Sequence, residues 1–441
     1  MLITGPRGIY GESTNDRKDF WALDWLRFLL AIYLVLFHTF SGNYKLLAGS
    51  WLDAALGLGN LATSGFFVLS GFLLTHAYVV RRAGSQLDGK SFFVARFSTL
   101  YPLHFLAFLI TLIPVAVTIY TRGGISVPTE PSGTAVRLLG TTEFMMTVFT
   151  NVLLLHAWNP AYLSFNFPSW SLSALAFYYL LFPFFAPRVY KMRFPRAYII
   201  VLGLIFAVPG ATADAFQFNG LLSEGILHHN PMLRLPLFLG GMILCVLCAR
   251  TLPGNERRRN LWCYAIIFFT VTVGIVLQYY EIHMHLIKNG FYYPASLAIV
   301  WLAARACACN NLTIKFWGGR LGSLALPLFL LHGCLFEIFQ KSEKFVKGFY
   351  IEGTIDFGAI VATGRHLEPS ISVYPLYLTL LIWACFLAQD RFVTPIQSVL
   401  RARLLDVEKD PLSKVGGVVN GKSAVSSDSA VHSVKVTRHT Y

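Results

Sequence analysis

The sequence predicts an all-α integral membrane protein with about ten transmembrane helices and both termini cytoplasmic. One further apolar segment near 142–158 is expected not to cross, or to dip in and return. Three observations carry that expectation. Of 441 residues, 55% are hydrophobic and 13% charged, too little polar surface to cover a soluble core of this size. Apolar runs of crossing length, about 17–25 residues, recur along almost the whole chain. The basic clusters fall on alternate connections, which sets the sidedness.

In order, the crossings are expected near 19–40, 57–80, 97–120, 170–187, 197–213, 232–250, 261–280, 289–306, 321–340 and 372–390. The run 142–158 is left out because a crossing there would move Arg188/Lys191/Arg193/Arg196 and Arg257/Arg258/Arg259 outside. That opposes the positive-inside preference. A segment that dips and returns is tolerated only where it is buried in protein or lines a cavity, so 142–158 is a candidate wall of an active site.

Residues 1–18, with Arg7, Arg17 and Lys18, lack the features of a signal peptide and read as a cytoplasmic lead-in. Residues 19–390 form the membrane unit. Residues 391–441 read as a cytoplasmic tail, largely disordered from about 404, with too little apolar clustering for a core. The outward segments 121–141 and 340–371 are long and rich in Gly, Ser and Thr, as substrate-touching loops and plain linkers both are.

Seven cysteines, all in or beside apolar runs, argue against a disulfide framework. Cys307-Ala308-Cys309 is too closely spaced for an ordinary zinc pair, and no metal is expected. A net charge of +14 is compatible with nucleic acid in a soluble chain, but in a membrane chain the placement of basic residues explains it, and no nucleic-acid partner is expected. The absence of an internal repeat or of inverted pairs of broken spans weakens a secondary-transporter reading.

The first span, LDWLRFLLAIYLVLFH, carries Asp24, Arg27 and His38 in an otherwise greasy run. Eleven residues are about three helical turns, which puts Arg27 and His38 on nearly one face and about 16 Å apart along the axis. Asp24, three residues before Arg27, eases the cost of an arginine at the membrane edge. One reading is that Arg27 snorkels to the headgroups and His38 hydrogen-bonds a neighbouring helix. The other is acyl transfer, with a histidine as general base on an acceptor hydroxyl and cationic groups holding the phosphates of an acyl carrier.

Six blocks follow in order: Arg27 with His38; Phe66-Phe67-Val68-Leu69-Ser70-Gly71-Phe72; Arg96 to Thr99 followed by Tyr101-Pro102; Asn166 through Pro168-Ser169-Trp170-Ser171 to Ser173; Asn230-Pro231 through Arg234 to Gly240; and Leu326 to His332. Together they resemble the acyltransferase-3 family of multi-span membrane O-acyltransferases, over about residues 20–390. The resemblance implies transfer of an acyl group, most simply acetyl, from cytoplasmic acyl-CoA to a hydroxyl of a cell-surface or exported carbohydrate. It implies His38 as the base, Arg27 and Arg96 as the residues holding acyl-CoA, and Asp24, His156, Trp170, Ser173 and His332 as substrate-side or supporting residues. Acetyl-CoA is then the co-substrate, a carbohydrate or lipid-linked glycan the acceptor, and the lipid of an inner cell membrane the surroundings.

Two positions depart from the family pattern. Its second arginine in the third span is Thr99 here, and the glutamate it usually shows after the second serine is absent from Ala174-Leu175-Ala176. Such a carboxylate would orient a base histidine. Glu143 and Glu337 are the nearest replacements by topology. His76 and His104 are expected toward the cytoplasmic half, where they line the carrier's path or serve as satisfied interior histidines. His332, beside Pro327 and Gly333, marks either a substrate entry or a packing histidine at a kink. Ser70 lacks the G-x-S-x-G elbow of a nucleophile and reads as a packing residue with Gly71. Trp170 fits an aromatic belt or a sugar platform equally. A glycan permease or exporter, or a non-catalytic membrane relative of the family, are the alternatives.

Overall fold

A computed structural model describes residues 20–405, apart from 42, 45, 46, 83, 85, 86, 132 and 253. The lead-in 1–18 and the tail from 406 lie outside the described residues. The helices are α1 (Trp21–Thr39), α2 (Trp51–Leu56), α3 (Gly59–Thr75), α4 (Gly89–Arg122), α5 (Thr141–Val152), α6 (Trp170–Lys191), α7 (Pro195–Ala215) and α8 (Leu221–His229). They continue as α9 (Pro231–Arg250), α10 (Glu256–Tyr279), α11 (Tyr293–Ala304), α12 (Leu312–Ser323), α13 (Ala325–Glu352), α14 (Phe357–Arg365), α15 (Tyr374–Leu387) and α16 (Thr394–Leu405). A small antiparallel hairpin, β1 (Ser126–Pro128) with β2 (Val136–Leu138), occupies the expected loop 121–141.

Among the described residues, eight helices are long and apolar enough to cross a membrane. The number is nine when α12 and α13, bent by 46°, make one span. Ten were expected. The difference is the stretch 289–306, which folds as the 12-residue α11 after a turn broken at Asn289 and Gly290, the latter at φ 135°. Twelve residues rise only about 18 Å, against a hydrocarbon core of about 30 Å. The same arithmetic applies to α5, also 12 residues long, within the segment 142–158.

Two other expectations change. The segment 340–371 is not an open loop: α13 runs on to Glu352 and α14 folds back on it. At the other end, the chain remains helical past 390, through α16 to Leu405.

The core forms where α3 and α9 meet without side chains between them. A Cβ on Gly71 would lie 2.0 Å from the Phe238 carbonyl oxygen, and one on Gly241 would lie 1.9 Å from that of Val68. Small residues permit this approach of two backbones, which accounts for Gly71 in the Phe-rich block as packing. Long-range bonds then set which helix ends share a side. The indole Nε1 of Trp21 donates to Cys307 O (3.0 Å), that of Trp25 to Ile314 O (3.1 Å), and Arg305 pairs with Glu256. The start of α1, the start of α10, the end of α11 and α12 therefore lie together.

Candidate active site

One polar cluster lies at the start of α1. Asp24 and Arg27, one turn apart, form an ion pair at 3.7 Å. Arg27 is close enough to Arg96 of α4 to feel its charge, with the Tyr179 hydroxyl also in range. A π-helical turn, His76–Val80, carries the end of α3 outward and presents Tyr78. Arg96 Nη2 donates to Tyr78 Oη at 2.8 Å, and the guanidiniums of Arg96 and Arg82 lie 5.0 and 5.4 Å from the centre of that ring. Arg96 Nε is buried without a hydrogen-bond partner. The arginines predicted to hold phosphates therefore meet, and neutral groups supply most of their contacts.

The second cluster lies toward the far end of α1. The His38 ring stacks on His332 of α13, 5.3 Å between centroids and 19° from parallel, with Phe167 edge-on at 6.0 Å. His332 is fully buried, and its Nδ1 donates to Leu328 O at 2.9 Å. That bond selects the tautomer with a lone pair on Nε2, an atom buried without a partner. Pro327 falls in the first turn of α13, where its missing N–H costs little, so the chain bends at Leu324 and not at His332. Around His332 the backbone is held from both sides: Asn166 Nδ2 donates to Leu330 O (2.7 Å) and Tyr377 Oη to His332 O (2.9 Å).

Trp170 is 5% exposed and packs against Phe67 and His228, inside the bundle and away from any aromatic belt. His228, on α8, was not singled out from the sequence. Its ring lies 5.3 Å from Trp170 and 6.5 Å from Phe167, so it joins the walls around His38. Behind it Arg234, 2% exposed, donates from Nε to His228 O (2.8 Å) and from Nη1 to Lys288 O (2.9 Å). The signal was present in the sequence: a His-His pair directly before the Asn230-Pro231 block, followed by an arginine inside an apolar span.

The remaining predicted residues support the frame. Ser173 Oγ donates to Leu154 O (2.5 Å) and accepts from Ala157 N (3.3 Å), tying α6 to the segment after α5. Ser169 Oγ donates to Asn166 O (2.6 Å) and so accepts from His156 Nε2 (3.0 Å). His104 does not line a path at the arginine end. Its Nε2 meets Asn151 O (2.8 Å) and its ring stacks on His156 at 5.9 Å, so the segment after α5 reaches the middle of α4. His76 does stay at the arginine end, against Phe20.

Neither expected replacement acid reaches a histidine of the site. Glu143 accepts two hydrogen bonds from Arg137 (2.7 and 2.6 Å) and one from Tyr162 Oη (2.9 Å), which together hold its carboxyl at about 2, below the usual range. Glu337 pairs with Lys341 at 3.0 Å. Among the described residues, the contacts of His38 and His332 are rings, backbone and Asn166-side neighbours, not carboxylates.

The model of one family, described as an acyltransferase domain, matches residues 20–389. The chain belongs to the acyltransferase-3 family. A curated relative, acyltransferase MdmB of Streptomyces mycarofaciens, is 34% identical over 154 residues, which is 34% of this chain and 34% of that protein. The alignment thus spans about a third of the relative's length. No solved structure matches the chain. Within this acyltransferase-3 chain, the matched residues contain both polar clusters, from Arg27 and His38 to His332.

Proposed function

We propose that the protein is a membrane O-acyltransferase. It moves an acyl group, most simply acetyl, from cytoplasmic acyl-CoA to a hydroxyl of a cell-surface or exported carbohydrate, across an inner cell membrane. One observation carries this: guanidiniums gather at one end of α1 while an imidazole pair with an open acceptor nitrogen stands toward the other. Charge for phosphates and a base for a hydroxyl are then separated by about 16 Å, the reach of an extended pantetheine arm.

In this reading His38 takes the proton of the acceptor hydroxyl as that oxygen attacks the thioester carbonyl. The carbon–sulfur bond breaks, the acyl group passes to the acceptor oxygen, and the CoA thiolate leaves with the proton. His332, held through Nδ1 by Leu328 O, keeps the His38 ring in place. Arg27 and Arg96 bind the carrier's phosphates. The topology that goes with it has ten crossings and both termini cytoplasmic, with α11 completing the tenth through the turn Ile287–Phe291. The Arg305–Glu256 pair supports that, because the end of α11 returns to where α10 begins.

The test compares bound acyl content of surface glycans in a null strain carrying wild type or His38→Ala at matched membrane levels. Loss in the variant supports the mechanism, and retained acylation sinks it. That no carboxylate stands beside the imidazoles among the described residues favours one second reading, a non-catalytic relative that keeps the binding site. That reading predicts no acyl transfer from acyl-CoA by purified wild type.

A further inference from the structure

The acyltransferase-3 resemblance leaves Thr99 where an arginine is expected, and α16 brings one to that place. The chain leaves α15 through a π-helical stretch, Ala388–Val393, whose Asp390 is gripped by both terminal nitrogens of Arg320, one of them at 2.8 Å. That grip aims α16 along the early part of α4. Arg401 then places Nε 3.5 Å from Ser98 Oγ and Nη2 3.5 Å from Ala95 O. The same Ala95 carbonyl accepts from Thr99 Oγ1 at 2.8 Å. The Arg401 guanidinium therefore lies beside the Thr99 hydroxyl, and Thr99 is one turn of α4 from Arg96.

We infer that Arg401 is a third phosphate-binding residue of the acyl-donor site, supplied by the C-terminal helix in place of the arginine that α4 lacks. Its two contacts are longer than an optimal N–H···O bond of about 2.7–3.2 Å, so they position the group without satisfying it. A guanidinium carries five donors and suits the forked geometry of phosphate oxygens. Arg27, ion-paired to Asp24, feels the charge of Arg96, and Arg401 docks on α4 within one turn of Arg96, so three helices bring guanidiniums to this part of α4. Like charges brought together on neutral partners are relieved by a polyanion, and the pyrophosphate and 3′-phosphate of an acyl-CoA supply that charge. The inference rests on the donor reading above and makes α16 a working part of the site.

The experiment titrates acetyl-CoA against the purified full-length protein in nanodiscs. Wild type is expected to bind, with affinity falling as salt rises. Arg401→Gln keeps a donor for Ala95 and Ser98 but removes the charge, and is expected to weaken binding about tenfold, ~1.4 kcal/mol, with unchanged thermal stability. Arg401→Lys is expected to stay within a few-fold of wild type. Adding Thr99→Arg to Arg401→Gln is expected to restore affinity, because the charge returns to the same place from α4. Equal binding by Arg401→Gln, or the same loss with and without Thr99→Arg, overturns the inference while leaving the donor reading intact. Failure of wild type to bind acetyl-CoA removes the donor reading itself, before any variant is considered.

Discussion

His38 and His332 stack with their ring centroids 5.3 Å apart, and among the described residues only His332 has its orientation set by a side-chain hydrogen bond, from Nδ1 to Leu328 O. The free ring is thus held by the fixed one. Replacing His38 by Ala is expected to lower kcat for acyl transfer on the order of 10²–10⁴-fold, the usual loss for a general base. His332→Ala is expected to lower kcat by about tenfold or more while the KM for acyl-CoA stays near wild type, since the arginines are untouched. Equal kcat in wild type and His332→Ala, measured in proteoliposomes, would refute a positioning role for that ring.

At the other end, the hydroxyl of Tyr78 holds Arg96 at 2.8 Å. Arg96→Gln is expected to raise the KM for acyl-CoA at least tenfold with kcat within a few-fold. Tyr78→Phe removes one hydrogen bond to a charged group, about 1.5–3 kcal/mol at most, and is expected to give a smaller rise in the same constant. Steady-state kinetics at two salt concentrations separates this from a general loss of structure, because a weaker phosphate contact also flattens the salt dependence.

Backbone contact between α3 and α9 makes a stability prediction. Gly71→Ala and Gly241→Ala each force a Cβ to within about 2 Å of a carbonyl oxygen that cannot move alone. Each is expected to cost about 1–3 kcal/mol, seen as a lower unfolding temperature in detergent. Gly65→Ala meets only a Leu30 side-chain tip at 3.3 Å and is expected to be nearly neutral. Equal melting of all three variants would show that the two helices do not need this approach.

The Arg137–Glu143–Tyr162 clamp predicts a pH dependence. The Glu143 carboxyl is held down to about 2 by its partners, so its stabilising contribution is present above the unfolded value of about 4.3 and is lost as pH falls through about 2. The difference in unfolding temperature between wild type and Glu143→Gln is therefore expected to be constant from pH 7 to about 5. It should shrink below that and vanish near pH 2. An unchanged difference at pH 2 would mean that the clamp is not what separates the two proteins.

Much of the first-span part of the arginine end was readable because it lies within one helix. Asp24, Arg27 and His38 share a stripe by helical period alone, and the ion pair at 3.7 Å follows from the three-residue spacing. Arg234 appeared only as part of the Asn230-to-Gly240 block and His228 was not singled out, because neither shows its neighbours until α6 and α8 are seen to meet. Glu143 looked available for the opposite reason: nothing in the order of residues announces that Arg137, six residues earlier and across a turn, holds both its oxygens. Hydropathy reads 289–306 as one continuous run because composition does not register the backbone break at Asn289 and Gly290.

By itself, the sequence determined which segments are apolar, which ends of them carry arginines and which a histidine, and that an expected arginine and an expected glutamate are missing. The first two follow from helical period and the cost of charge in lipid, both local, and the two absences from the acyltransferase-3 resemblance. Only the tertiary structure decided which groups meet across helices: His38 with His332, Ser173 with the turn after α5, and Arg401 with the first turns of α4. Those meetings depend on how closely glycine-faced helices approach, on the bend at Leu324 and on the π-helical stretch Ala388–Val393 that leads into α16. Such geometry is a property of the packed bundle, because each contact joins residues whose separation along the chain leaves their distance in space undetermined.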